Sequence, residues 1–215
     1  MMKKAAIIIA SGFEEGEALT IADIIKRAHL QCDLVGYEQE VKGGHEIIVR
    51  CDHILNETLL DYDMVILPGG YGGAEAMKNN PTLISYLQQM NEKGKYVCAM
   101  CAAPIVLEKA NLLVDKKFTA YQGYDQKIKQ GTYLNDKVVI DSNIVTSRGP
   151  ATAYGFAYKL VELLGGDDLA VKKRMVYFNA FDVKVKKDKK ADKKAKPSLF
   201  ARVGKWLKDM KKEKH

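Results

Sequence analysis

The chain has 215 residues, 47% of them apolar and 28% charged, and contains no apolar run near the roughly 18 residues that a membrane-spanning helix needs. The opening Met1-Met2-Lys3-Lys4-Ala5 lacks a signal peptide's apolar core and cleavage site, and four scattered cysteines are too few for a disulfide scaffold. These features argue against insertion and secretion and predict a soluble, cytoplasmic globular body with free thiols. The net charge of +7 is uneven: residues 183–215 carry fourteen Lys/Arg against four Asp/Glu, a net +10, which leaves −3 on residues 1–182. A mildly acidic body argues against a nucleic-acid-binding fold.

Lys4 to Ala10 is a short apolar run. Gly16 to Ala28 follows, with Leu19, Ala22, Ile25 and Ala28 at helical spacing, so a strand and a helix are expected. Cys32 to Tyr37 reads as a second strand. His45 and His53 flank an apparent hairpin strand, Glu46 to Cys51, and His29 closes the first helix as a partner for its dipole, so no histidine is placed in a cleft. Met64 to Leu67 is a strand that stops at Pro68-Gly69-Gly70. A short helix near Gly73 to Lys78 and a longer one from Pro81 to Glu92 precede the strand Tyr96 to Met100. Pro104 to Asn111 reads as helix, Lys137 to Ile140 and Ile144 to Ser147 as strands, and Ala151 to Leu164 as a long helix ending at Gly165-Gly166. Short strands that are apolar on both faces and alternate with helices predict a doubly wound α/β sandwich with a mainly parallel sheet over residues 1–182.

Such sheets bind ligands beyond the carboxyl ends of their strands. Ser11-Gly12-Phe13-Glu14-Glu15-Gly16-Glu17 crowds three carboxylates at a helix start, where capping and dipole compensation account for two of them. Pro68-Gly69-Gly70-Tyr71-Gly72-Gly73 permits a tight turn with backbone N–H groups facing a cleft, but fits neither a P-loop nor G-x-G-x-x-G. In Tyr96-Val97-Cys98-Ala99-Met100-Cys101-Ala102-Ala103-Pro104, a strand runs into Cys101, two small residues and a helix-starting proline, the geometry of a nucleophile elbow. A thiol at a helix N-terminus is expected to ionise below the usual value of about 8.5. Cys98 lies within the strand and reads as structural. No second Cys/His pair offers zinc its four ligands, so no metal is expected.

The motifs SGFEEGE, VILPGG, AMCAAP and TSRGPATA, in this order, resemble the ThiJ/PfpI superfamily in the subgroup of Parkinson disease protein 7 and its bacterial relatives. The resemblance covers residues 1 to about 180. It implies a flavodoxin-like domain, a homodimer and no cofactor. Carried over by motif, Cys101 is the readily oxidised nucleophile and Glu17 the protonated carboxyl beside it. Gly69 and Gly70 line the oxyanion side, Ser147-Arg148-Gly149-Pro150 form a neighbouring wall, and Ala102 and Tyr121 complete the oxyanion and substrate-binding set. The activities implied are glutathione-independent conversion of methylglyoxal or glyoxal to hydroxy acids, deglycation, and oxidative-stress sensing or chaperone action without turnover. Tyr121 stands where several members carry histidine. Protease-like members place a histidine directly after the nucleophile, where this chain has Ala102, and no histidine lies between Cys101 and His215 to serve an amidotransferase.

Residues 183–197 have almost no apolar content and read as a basic linker. Residues 198–215 read as a basic amphipathic helix, with Leu199, Phe200, Val203, Trp206, Leu207 and Met210 on one face. Such a tail is expected to meet an anionic membrane surface or RNA, which makes the chain peripheral at the membrane in the first case.

Overall fold

The computed structural model describes residues 3–180. Contacts cluster into a unit that ends at Phe178. The expected linker and amphipathic helix lie outside the described residues.

In chain order the strands and helices are β1 (Lys4–Ile9), α1 (Glu15–Arg27), β2 (Gln31–Gly36), β3 (Glu40–Lys42), β4 (Ile48–Arg50), β5 (His53–Ile54), β6 (Met64–Leu67), α2 (Tyr71–Lys78), α3 (Pro81–Glu92), β7 (Tyr96–Met100), α4 (Pro104–Lys109), β8 (Lys117–Phe118), β9 (Thr132–Tyr133), β10 (Val138–Asp141), β11 (Ile144–Ser147), α5 (Ala153–Leu163) and α6 (Asp168–Arg174). The main sheet has the order β10-β11-β7-β6-β1-β2-β5. Only the β10–β11 pair in it is antiparallel. This is the expected doubly wound α/β fold with a mainly parallel sheet.

The central strands explain the layering. Ala5–Ile9 in β1, all of β6 and all of β11 are buried, so each needs cover on both faces. α1 packs on α5 for one cover, and α2 packs on α3 and α4 for the other. Phe13, Phe118, Phe156 and Tyr158 are fully buried among them, each worth about 2–3 kcal/mol of apolar transfer. Among the described residues no helix is long and apolar enough to cross a membrane.

Several boundaries differ from expectation for local reasons. The helix expected from Pro104 ends at Lys109, because Asn111 turns left-handed at φ 59°. The expected Ala151–Leu164 helix is split into a 3₁₀ turn at Pro150–Thr152 and α5. The hairpin strand is only Ile48–Arg50, since Gly43 to Ile47 form the turn that joins it to β3, and Glu46 has φ 71°. α6 was not expected. It is a one-sided helix with Val171 buried, started by the Asp167 side chain accepting the Ala170 N–H at 2.9 Å.

Candidate active site

Segments leaving β1, β6, β7 and β11 meet at the carboxyl edge of the parallel sheet, where such folds bind ligands. Cys101 is the first residue past β7. Its backbone is left-handed at φ 60°, a conformation that costs a non-glycine residue about 1–3 kcal/mol. The surroundings enforce it: the Cys101 N–H donates to the Ser147 carbonyl at 3.0 Å, and its carbonyl accepts the Tyr121 N–H at 2.8 Å. The strained turn aims the thiol into a cavity of about 500 Å³, walled by Glu14, Tyr71, Tyr121, Tyr124, Lys127 and Pro150. Cys101 is 9% exposed, whereas Cys98, Cys32 and Cys51 are 2% exposed or less. All four thiols are free.

The three carboxylates at the start of α1 do three different things, and none caps the helix with its side chain. Glu14 faces the cavity. Glu15 turns away and is almost fully buried, accepting the His45 N–H at 2.7 Å and the ring Nδ1 at 2.9 Å. Burial pushes the Glu15 carboxyl up, but its hydrogen bonds to His45 and to backbone N–H groups outweigh this and hold it below 4.5. The same Glu15 bond raises His45 above the usual imidazole value. The glycine-rich turn after β3 folds over the start of α1 and brings His45, which is exposed and does not line the cavity, within 3.6 Å of Glu14. Among the described residues, Glu14, Glu15 and His45 bring donor atoms close enough to hold a metal ion, within 4.8 Å of one another. As it stands, the imidazole itself faces both carboxylates.

Glu17 is fully buried and lies within hydrogen-bonding reach of the Cys101 thiol. Its Oε2 accepts the Gly69 N–H at 2.7 Å, while Oε1 has no hydrogen-bond partner among the described residues. Burial pushes the Glu17 carboxyl up to about 7, more than the Gly69 and Cys101 hydrogen bonds pull it down. Burial also pushes the Cys101 thiol up and the Glu17 charge adds to this, while the Gly70 and Ala102 N–H groups pull it down. The expected simple lowering of this thiol by a helix dipole is therefore corrected: α4 starts three residues later and runs for only six, and burial beside a carboxyl outweighs it. The two groups form one titrating pair in which the first charge suppresses the second.

Two glycines make this proximity possible. A Cβ on Gly69 would lie 2.5 Å from Cys101 Cβ and 2.9 Å from both Cys101 Sγ and Glu17 Oε2. Gly70 has φ 87°, and a Cβ there would meet the Gly12 carbonyl at 2.3 Å. The Gly69 N–H is engaged by Glu17, so the backbone donors that face the sulfur are Gly70 and Ala102. Of the remaining expected residues, Tyr121 lines the cavity with a half-exposed ring set edge-on to Tyr124. Ser147 is fully buried, its hydroxyl donating to the Lys137 carbonyl at 2.7 Å and lying 2.8 Å from the Thr152 hydroxyl, so it supports the wall without forming it. Arg148 lines an adjoining cavity instead. Lys127, which sits 4.4 Å from the centre of the Tyr124 ring, is a cavity cation that no sequence motif marks.

Residues 3–163 match the DJ-1/PfpI family model. The chain belongs to the DJ-1/PfpI family. It is 36% identical over 173 residues to Protein dj-1beta of Drosophila melanogaster, covering 78% of this chain and 92% of that one. The crystal structure of Drosophila melanogaster DJ-1beta superposes with a TM-score of 0.79, covering 82% of this chain and 98% of that one. A Caenorhabditis elegans protein named glutathione-independent glyoxalase DJR-1.2 is 32% identical over 175 residues, 77% of this chain and 91% of that one.

Proposed function

We propose that this DJ-1/PfpI protein converts methylglyoxal and glyoxal to lactate and glycolate without glutathione. The observation that carries the reading is a cysteine on a strained elbow, open to a cavity and paired with a buried carboxyl whose own pKa lies at about 7. The name of the nematode relative supports the substrate class.

The Cys101–Glu17 pair shares one negative charge near neutral pH. With the proton on the carboxyl, Glu17 donates toward sulfur, and the sulfur also accepts from the Gly70 and Ala102 N–H groups. The thiolate adds to the aldehyde carbon, and the carbonyl π pair moves to oxygen and takes the Glu17 proton. The resulting hemithioacetal presents its C1–H to the Glu17 carboxylate, which removes that proton to give an enediolate and returns it at C2, while the C1 hydroxyl proton passes to the C2 oxygen. This yields a lactoyl thioester on Cys101. Water then cleaves the C–S bond and releases lactate and the thiol, so methylglyoxal plus water gives lactic acid. Gly70 and Ala102 serve developing charge at sulfur and the adjacent oxygen, while Gly69 positions Glu17. The family likeness supports a homodimer as the working assembly.

The test is lactate formation from methylglyoxal by the purified full-length chain in the absence of any added thiol. The expected result is catalytic lactate matching the methylglyoxal consumed. Consumption without lactate, or lactate limited to one equivalent per chain, would overturn the reading and leave Cys101 a sensing thiol.

A further inference from the structure

A second cavity, of about 310 Å³, adjoins the cysteine cavity and shares Tyr121, Gln122 and Pro150 with it. Lys137 and Arg148 line it and no carboxylate does. The sheet explains why two cations meet there. Val138 pairs with Ser147 across the antiparallel β10–β11 ladder, so Lys137 and Arg148 are the next residues opposite each other beyond it. Ser147 also pairs with Met100 across the parallel β11–β7 ladder, so Arg148 follows β11 as Cys101 follows β7, on neighbouring strands.

Neither cation is in an ion pair among the described residues. Arg148 Nε is buried without a hydrogen-bond partner. Arg148 is half-buried with a guanidinium nitrogen left unpaired, which is costly, and the exposed Lys137 adds positive charge to the same cavity, so the site favours an anion. Arginine's planar fork and lysine's point charge together suit an oxyanion group, a phosphate or a carboxylate.

We propose that this cavity is an anion subsite, in which Arg148 and Lys137 hold the phosphate or carboxylate of a small carbonyl compound whose carbonyl carbon reaches Cys101. The inference rests on the reading of Cys101 as a nucleophile toward carbonyls and names the substrate class: short aldehydes and ketoaldehydes that carry an anionic group. The shared wall of Tyr121, Gln122 and Pro150 is the path between the two ends of such a molecule.

The experiment is calorimetric titration of the full chain with inorganic phosphate and, separately, acetate. Wild type, Arg148→Met, Lys137→Met and Cys101→Ala proteins are compared, each shown to be folded by circular dichroism. Since all four keep the basic tail, binding by the tail cancels. The expected result is saturable binding to wild type and Cys101→Ala, weakened at least tenfold in each cation variant, with the better ligand of the two identifying the preferred group. Binding in Cys101→Ala reports the subsite whether or not the chain turns over methylglyoxal, so failure of one reading is distinguishable from failure of the other. Equal binding by all four proteins, or no binding by any, overturns the proposal. So does a fall in oligomer mass in Arg148→Met with phosphate binding unchanged, which assigns the arginine to a carboxylate of a second copy.

Discussion

Alanine at Cys101 is expected to abolish lactate formation, lowering kcat by about 10³-fold or more, the scale seen when a nucleophile is removed from a catalytic unit. The structure makes this substitution clean. Cys101 contributes its backbone to the elbow through Ser147 and Tyr121, and those bonds do not involve the side chain. Alanine retains Cβ and loses only the sulfur from a site facing a cavity, so stability should change little. Lactate measured enzymatically and unfolding followed by circular dichroism together check this. Residual turnover above about a tenth of wild type would place the nucleophile elsewhere, since Cys98, Cys32 and Cys51 are buried away from the cavity.

Glutamine at Glu17 is expected to lower kcat by about 10²- to 10⁴-fold, the range typical of a lost general acid–base group. The amide oxygen can still accept the Gly69 N–H and the amide NH₂ can still donate toward Cys101, so the local geometry survives. What glutamine lacks is a carboxylate that can accept a proton from carbon and return it, and the route from hemithioacetal through enediolate to thioester requires one. The variant should therefore still consume one equivalent of methylglyoxal reversibly, as a hemithioacetal, without producing lactate. Mass spectrometry of the intact chain and a lactate assay separate these outcomes. Wild-type turnover would show that another group carries the proton, with Glu14, which lines the same cavity, the first to examine.

The fold was legible because its strands are written as uninterrupted apolar runs: Tyr96–Met100, Met64–Leu67 and Ile144–Ser147 emerge with the expected bounds. The elbow was equally readable, since a buried strand, a cysteine, two alanines and a proline leave the chain few options. The sequence did not reveal which partners the carboxylates choose. Glu14, Glu15 and Glu17 look alike in sequence, yet helical geometry points each in a different direction, and only Glu17 meets Gly69 and Cys101. The contact of His45 with Glu15 is not legible because the two lie 30 residues apart and meet through a turn whose glycines allow close approach: a Cβ on Gly43 would collide with the Glu15 carboxyl carbon. The acidity of the thiol is not legible either, because burial beside Glu17 outweighs the dipole of the six-residue α4 and neither burial nor that neighbour is written in the local sequence.

Cys101 and Glu17 act as one unit, sharing a single proton and a single charge between carboxyl and sulfur near neutral pH. Thiolate absorbance, titrated as wild type minus Cys101→Ala, measures it directly and is repeated with Glu17→Leu in each background. Wild type is expected to show a partial thiolate signal accompanying the pair's first ionisation, near the value of about 7 to which burial pushes the Glu17 carboxyl, and the full signal only at higher pH, because burial and the Glu17 charge push the thiol up. The leucine variant, which has neither the donor nor the shared proton and keeps the sulfur buried, is expected to lose that early partial signal. A wild-type sulfur that stays protonated throughout the neutral range, or a titration indifferent to leucine at position 17, would contradict proton sharing between Cys101 and Glu17.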